Sequence, residues 1–198
     1  MSQLLRVQNF FVSADGFGAG EGQSLEAPFG HADRRGGGVG GSRGLDDYFV
    51  RDFARNIGAE IMGRNKFGPQ RGPWENLDWL GWWGDNPPFH TPVFVLTHHH
   101  RPSFTLADTT FHFLDATPAE ALQEATAAAD GKDLRLGGGI ATIRQFLEAD
   151  LVDTMHVAVA PIELHRGERL WDSPEDLLDR CHLETVLSPN SGIVHHLF

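Results

Sequence analysis

Residues 134–143 read Leu134-Arg135-Leu136-Gly137-Gly138-Gly139-Ile140-Ala141-Thr142-Ile143, and this stretch decides the fold. It predicts a short strand, a tight glycine turn and a helix that runs through Glu148. Glycine lets the chain turn sharply and lets a phosphate approach the backbone, while the amides at a helix start face such an anion. A ligand-binding turn and a plain strand-helix corner both fit these residues. The spacing is not that of a Rossmann fingerprint, and the stretch lacks the Lys-Ser/Thr of a P-loop.

Strands and helices alternate on both sides of this turn. Apolar runs predict the strands, and apolar stripes with capping signals predict the helices. The predicted strands cover residues 4–12, 59–62, 92–96, 133–136 and 154–160, and the predicted helices cover 45–55, 117–130 and 140–148. Residues 182–187 and 193–198 flank a Ser-Pro-Asn-Ser-Gly turn, which predicts a terminal hairpin. This alternation predicts an α/β fold with a largely parallel sheet.

The clearest local signal is a helix start at Thr117-Pro118-Ala119-Glu120. Thr117 can cap the helix, Pro118 suits the first turn, and Glu120 completes a capping box. Ser173-Pro174-Glu175-Asp176 follows the same pattern and predicts a short helical turn.

Composition limits the classes of function. The chain has 198 residues, enough for one compact domain, and its formal charge is −11. Such acidity argues against a broad nucleic-acid surface and against binding to anionic membranes. Cys181 is the only cysteine, so an intrachain disulfide is impossible. The start lacks the apolar core of a signal peptide and no apolar run could span a bilayer, so we expect a soluble cytoplasmic protein.

Polar residues follow two of the other predicted strands. Gly63-Arg64-Asn65-Lys66 places two cations beside a glycine, which suits a phosphate, although a solvated turn fits as well. The second run is Thr97-His98-His99-His100-Arg101. Only His98 and His100 could face the same side of an extended chain, so a zinc site has little support. A polar cap at the C-terminal end of a parallel strand, where ligands of such sheets bind, explains this run better.

A turn and a long loop follow the first strand. In Ser13-Ala14-Asp15-Gly16-Phe17, Asp15 could bind substrate or supply a proton path, but a turn-forming Asp-Gly pair is the preferred interpretation. Residues 20–44 are rich in glycine and predict a loop. Loops of this length are active-site lids or disordered inserts.

Taken in order, these pieces resemble the dihydrofolate reductase-like superfamily. The nearer match is the reductase domain of the bacterial riboflavin-biosynthesis deaminase-reductase and its stand-alone relatives. The matching segments span almost the whole chain and are residues 12–17, 61–64, 93–97, 109–113, 137–139, 143–147, 157–161 and 166–170.

The resemblance implies a three-layer α/β fold with a mostly parallel central sheet and a C-terminal antiparallel hairpin, in a single domain over residues 1–198. It implies NADPH as hydride donor and a homodimer. The family's segment over the nicotinamide corresponds to Ala14, Gly16 and Phe17. The implied phosphate and adenosine contacts are Gly63, Arg64, Asn65, Thr97, His98 and His99. The implied pyrophosphate site is Gly137, Gly138, Gly139, Ile140, Ala141 and Thr142.

Three departures from the family pattern bear on the substrate. The loop at 20–44 is longer than in true dihydrofolate reductases, whose pterin-binding carboxylate lies near the start of the helix that begins here at Leu45. Asp46 and Asp47 are near that position. Glu163 and His165 interrupt a stretch that is small and apolar in relatives. The zinc signature of the deaminase is absent from these residues, so we expect a reductase rather than a bifunctional enzyme.

These patterns together predict an NADPH-dependent reductase of a small heterocyclic substrate, with no nucleic-acid or membrane partner. The activity nearest to the match is reduction of 5-amino-6-(5-phosphoribosylamino)uracil in riboflavin biosynthesis. Dihydrofolate reduction and nucleotide binding without catalysis are the alternatives. Asp15 and Asp46 are the candidate catalytic residues, for substrate binding or proton delivery.

Overall fold

The structure is a computed structural model that describes residues 2–27, 30–31 and 44–198. The strands are β1 (Leu5–Ser13), β2 (Phe17–Ala19), β3 (Ile57–Gly63), β4 (Pro92–Leu96), β5 (Phe104–Leu106), β6 (Thr109–Leu114), β7 (Asp133–Gly138), β8 (Thr154–Ala160), β9 (Glu168–Arg169), β10 (Glu184–Leu187) and β11 (Val194–Leu197). The helices are α1 (Leu45–Asp52), α2 (Arg64–Phe67), α3 (Pro118–Ala128) and α4 (Ile140–Glu148), and a 3₁₀ turn covers Pro174–Leu177.

The described residues divide into two compact units. The first unit contains the chain up to Arg6 together with Asn56–Asp153. The second contains the described part of Val7–Arg55 together with Thr154–Phe198. The expectation of a single domain stays a prediction.

The first unit is built on a parallel sheet in the order β7-β3-β4-β6, with β5 added antiparallel to β6. The start of β1 also pairs parallel with β7. All seven residues of β3 are buried, because a central parallel strand is covered on both faces. The apolar run of β4 suits this position, whereas β3 also buries Glu60.

Aromatic side chains fill the core of the first unit beside β4 and β6. Phe67 and Phe111 are fully buried there. Partly buried aromatic rings from the irregular segment before β4 and from β5 and β6 pack against them, namely Trp74, Trp79, Trp83, Phe104 and Phe113. The tryptophan-rich segment is thus anchored by burial of its rings, although it has little regular structure.

The second unit carries the strands β10-β11-β8-β1 in that order, and a separate pair of β2 with β9. The pairing of β10 with β11 is antiparallel, with Leu187 opposite Val194, and β11 is antiparallel to β8. Helix α1 buries Asp46 and Phe49.

The predicted α/β fold is confirmed, with its mostly parallel sheet and its terminal antiparallel hairpin. Both predicted capping boxes are present, at Thr117 and at Ser173. Helix α1 ends at Asp52, before the predicted Arg55, because the Arg55 amide closes a turn onto the Asp52 carbonyl and Asn56 adopts a left-handed φ of 59°. Strands β5 and β6 were not predicted from the element pattern. Among the described helices, none has the length and apolarity to cross a membrane.

Candidate functional site

The glycine turn lies between β7 and α4, as the sequence predicts. Gly138 has a φ of 111°, a left-handed value that favours glycine, and the Gly138–Gly139 peptide is cis. Gly139 is the N-cap of α4, and its carbonyl accepts from the Ile143 amide at 3.0 Å. The amides before Ile143 have no partner inside the helix, since the first amides of any helix lack one. They are the donors that an anion at this turn would use.

Different constraints act on Gly137 and Gly139 in this turn. A Cβ on Gly137 would lie 2.2 Å from Oε1 of Glu60, so packing alone requires glycine there. A Cβ on Gly139 would meet no atom within 4 Å, and its φ of −71° suits any residue. Neither space nor φ thus demands glycine at position 139. A bare backbone facing open space is what a closely approaching ligand needs.

Strand register brings the predicted phosphate residues to one edge of the first unit's sheet. Met62 pairs with Gly138, and Gly63 pairs with Leu96. The carboxyl ends of β7, β3 and β4 therefore lie side by side, with Arg64 and Thr97 directly after two of them. Ligands of parallel α/β sheets bind at this edge.

Arg64 has donors to offer at that edge. Its guanidinium carbon lies 3.8 Å from the centre of the Trp74 ring, and Nη1 donates to the carbonyl of Gly72. Nε and Nη2 are buried, and the described residues give them no hydrogen-bond partner. Burial lowers the pKa of Arg64, and the nearby charge of Arg71 lowers it further. A guanidinium with two unsatisfied buried nitrogens suits a phosphate that would bind both.

Residues 97–99, which follow β4, lie in two environments, one packed at the strand end and one exposed to solvent. Thr97 is buried, and its Oγ1 accepts from the His99 amide at 3.2 Å. The His99 carbonyl accepts from Trp74 Nε1 at 2.9 Å. His98 is exposed and pairs with Asp115, Nδ1 to Oδ1, at 2.7 Å. No group of three potential metal ligands occurs in the described part of the chain. Thr97 and His99 are therefore tied to the strand end, while His98 points to solvent.

Arg101, the last residue of the polar run predicted to cap β4, is buried against the irregular segment before β4. It is only 3% exposed, and its Nη2 donates to the carbonyls of Leu77 and Trp79 at 3.0 and 2.5 Å. Its guanidinium also lies 4.9 Å from the centre of the Trp74 ring. Burial lowers its pKa, and so does the charge of Arg64. An arginine next to a tryptophan-rich segment was the available signal, because guanidinium groups stack on aromatic rings.

A buried ion pair lies beneath the glycine turn, and it had no role in the sequence prediction. Arg135 Nη1 donates to both carboxylate oxygens of Glu60, at 2.9 and 2.8 Å. Burial raises the pKa of Glu60, and Arg135 only partly offsets that rise. The carboxylate fills the space next to Gly137, which explains that glycine.

Asp15 lies in the second unit, and both of its oxygens are occupied. Oδ1 accepts from the Ser13 hydroxyl at 2.6 Å and from the Leu164 amide at 3.1 Å, while Oδ2 accepts from the His165 amide at 2.7 Å. Burial would raise the pKa of Asp15, but these bonds outweigh it and lower the pKa to about 2. Such a carboxylate has no proton to give near neutral pH. The geometry favours an anchoring role, and proton delivery by Asp15 stays a prediction.

The neighbours of Asp15 are held in the same way. The Ala14 amide donates to the Ile162 carbonyl at 2.7 Å, and Gly16 has a φ of 83° with no room for a Cβ against the Trp171 carbonyl. Phe17 is buried under the Arg169 guanidinium. This segment is therefore fixed by residues 162–171 of its own unit.

Asp46 is the other predicted carboxylate, and it is almost fully buried in the second unit. Its Oδ1 lies 2.8 Å from Nε2 of His195, while Oδ2 lacks a hydrogen bond of normal geometry to any described residue. Burial would raise the pKa of Asp46, but Ser191, His195 and Ser188 outweigh it and lower the pKa. Asp46 is thus an ionised acceptor, stabilised by His195 and by the serine hydroxyls at positions 188 and 191.

Comparison with known proteins agrees with this architecture. Residues 7–193 match the family described as the RibD C-terminal domain. No protein of the curated collection matches the chain by sequence.

Solved structures share the fold at low sequence identity. A structure named as a riboflavin biosynthesis protein of Shewanella sp. PV-4 has a TM-score of 0.62 at 20% identity and covers 100% of this chain and 97% of its own. A deaminase/5-amino-6-(5-phosphoribosylamino)uracil reductase of Thermotoga maritima has a TM-score of 0.57 at 12% identity, covering 99% of this chain and 56% of that longer one. Dihydrofolate reductase of Enterococcus faecalis, solved with NADP(H), has a TM-score of 0.50 at 14% identity, covering 98% and 93%. At these identities the likeness concerns the fold.

Proposed function

Since the chain belongs to the RibD C-terminal domain family, we propose that it is an NADPH-dependent reductase of a small heterocyclic substrate. The nearest named activity is reduction of 5-amino-6-(5-phosphoribosylamino)uracil. The observation that carries the proposal is Gly139, a helix N-cap for which neither packing nor φ requires glycine. A ligand that approaches the backbone closely there would account for the residue.

The residues of the first unit fit the phosphates of NADPH. The amides of Ile140, Ala141 and Thr142 would hold the pyrophosphate at the start of α4. Arg64 would add a charge-assisted bond through its unsatisfied nitrogens. Bound NADPH supplies the hydride, and the protein supplies position and electrostatics. The roles of Asn65, Thr97, His98 and His99, and of Ala14, Gly16 and Phe17 at the nicotinamide, stay predictions.

We assign different roles to the carboxylates of Asp46 and Asp15. Asp46 is ionised, so the role we assign to it is to accept N–H groups of a heterocycle rather than to give a proton. Asp15 is fully occupied and keeps the turn after β1 in place. A proton needed by the product would then come from water.

Turnover tests this proposal directly. NADPH oxidation is followed with 5-amino-6-(5-phosphoribosylamino)uracil and with dihydrofolate, using wild type, Asp46→Asn and, as matched control, Asp47→Asn, which changes the half-buried neighbour on the same helix. Turnover of the uracil compound that Asp46→Asn reduces and Asp47→Asn leaves unchanged supports the proposal. Preference for dihydrofolate moves the substrate assignment to that alternative.

The second candidate is nucleotide binding without catalysis, because the glycine turn can hold a phosphate without any proton donor. Cofactor binding with no turnover of either substrate would establish that candidate instead. A homodimer and a cytoplasmic location belong to the reductase proposal as predictions, and sedimentation of the purified chain measures the first.

A further inference from the structure

Three buried polar side chains of the second unit form a row. His156 on β8 lies 2.9 Å from His195 on β11, Nε2 to Nδ1, and His195 Nε2 lies 2.8 Å from Asp46 Oδ1 on α1. Asp46, His195 and His156 are 3%, 1% and 4% exposed. A buried row of this kind is costly unless each hydrogen bond has one donor and one acceptor.

A backbone amide settles the direction of the row. The Asn9 amide donates to His156 Nδ1 at 3.2 Å, so that nitrogen carries no proton. A neutral imidazole then has its proton on Nε2, which donates to His195 Nδ1. His195 in turn has its proton on Nε2 and donates to Asp46 Oδ1. Every bond runs toward the carboxylate.

Packing holds both rings in this arrangement. Phe49 stacks on His156 with ring centres 3.8 Å apart and on His195 at 4.5 Å. Burial lowers the pKa of His156 to about 4. His156 is therefore neutral near pH 7, as the direction of the bonds requires.

Among the described residues, the titratable groups near Asp46 lie on three elements. From β11 it faces His195, which bonds in turn to His156 on β8, and on its own helix Asp47 pairs with Arg51. Asp52 accepts from Gln8 of β1 and pairs with Arg55. Since these acids have partners of their own, the histidine row is the principal charge-stabilising contact of Asp46 besides the serine hydroxyls at positions 188 and 191.

We propose that Asn9, His156 and His195 form a directional chain of hydrogen bonds that positions Asp46 as a fixed acceptor for an N–H group of the substrate. The substrate contact rests on the proposed function, while the chain itself does not. A backbone amide cannot release its proton, so the chain orients and polarises Asp46 and does not conduct protons. His156 and His195 are thus positioning residues.

Nitrogen-15 NMR of the histidine rings tests the direction. At pH 7 the spectrum of the full chain is expected to show both rings neutral, with the proton on Nε2 in each. His156→Gln and His195→Gln assign the signals. An Nδ1 proton on either ring, or an imidazolium at His195, overturns the proposal.

A matched pair of variants separates the chain from simple packing. His156→Leu fills the space without a donor, whereas His156→Gln keeps an N–H near the position of Nε2. Hydrogen bonds in a chain strengthen one another modestly, so losing the His156 donor should weaken the bond from His195 to Asp46. His156→Leu is therefore expected to raise the proton affinity of Asp46 by about two- to threefold in a carbon-13 carboxyl titration. His156→Gln is expected to restore the wild-type value. An unchanged titration in His156→Leu, or an equal change in both variants, overturns the proposal.

Catalysis provides a separate readout. If the reductase proposal holds, His156→Leu is expected to raise KM by the same two- to threefold and to shift the acid limb of kcat/KM upward in pH, with His156→Gln near wild type. Absence of turnover in wild type contradicts the proposed function. The two NMR experiments then decide whether the directional chain of hydrogen bonds exists. Should His156→Leu fail to fold, the ring protonation of the wild-type protein still decides it.

Discussion

The hydroxyl of Thr142 occupies the space that a side chain at Gly63 would need. A Cβ on Gly63 would lie 2.1 Å from Thr142 Oγ1 and 3.3 Å from Thr142 Cβ. The end of β3 and the start of α4 are therefore in direct contact within the first unit, and the glycine of the Gly63-Arg64 pair is explained by packing. The arginine remains the part of that pair that suits a ligand.

Gly63→Ala is expected to destabilise the fold by about 1–3 kcal/mol, because overpacking a filled site forces neighbours to move. Thr142→Ala removes the Oγ1 that causes the closest contact, so the double variant should recover most of the loss. Urea denaturation of the single and double variants measures both. Additive losses would show that the contact does not limit stability.

Glu60→Gln is expected to cost about 3 kcal/mol, since it leaves the buried Arg135 without its carboxylate. Replacing both residues with methionine should cost far less, because burial raises the pKa of Glu60 and offsets much of the attraction within the pair. A denaturation double-mutant cycle checks this. If the double variant is as unstable as Glu60→Gln, the pair itself stabilises the fold.

His156 makes stability depend on pH in a defined window. Its pKa is about 4 in the folded chain against an ordinary 6.5, so between these values the unfolded chain binds more protons. The contribution is complete above pH 6.5 and is lost as the pH falls toward 4, by at most roughly 3 kcal/mol. Denaturation at pH 4.5 and pH 7 should show a smaller difference in His156→Gln than in wild type. Equal differences would contradict the assignment.

Asp15→Asn is expected to cost about 1–2 kcal/mol at pH 7, since an amide cannot accept from both the Leu164 and His165 amides. The pKa of Asp15 is lowered from 3.8 to about 2, so its contribution is present above pH 3.8 and is lost as the pH falls to 2. The exposed Asp115→Asn is the control and should change stability by less than about 0.5 kcal/mol. Equal effects of the two variants would remove the anchoring role of Asp15.

The elements that could be predicted are those whose environment or local capping produces a recognisable pattern in the sequence. A buried parallel strand is often continuously apolar, which identified β4, and the capping box at Thr117 is entirely local. Strand β6 was missed because it is bounded by strands on both sides yet alternates buried and half-buried residues, including His112 and two threonines. Its apolar run is too interrupted for a central strand.

The candidate site was only partly predictable, because its causes lie in contacts between distant residues. Nothing in the glycine run separates Gly137, which Glu60 requires, from Gly139, which faces open space. His156 and His195 are 39 residues apart, and only the pairing of β8 with β11 joins them. The loop at 20–44 lies partly outside the described residues, so the prediction of a lid there stays a prediction.

Calorimetry of NADPH binding tests most directly whether Arg64 and the start of α4 form a phosphate site for NADPH. Wild type should bind NADPH, and Arg64→Ala should weaken binding by about 10- to 100-fold, the value of one or two charge-assisted bonds. Arg51→Ala, which removes an exposed arginine of α1, should bind like wild type. Absence of NADPH binding to wild type, or equal binding by Arg64→Ala, would contradict the account.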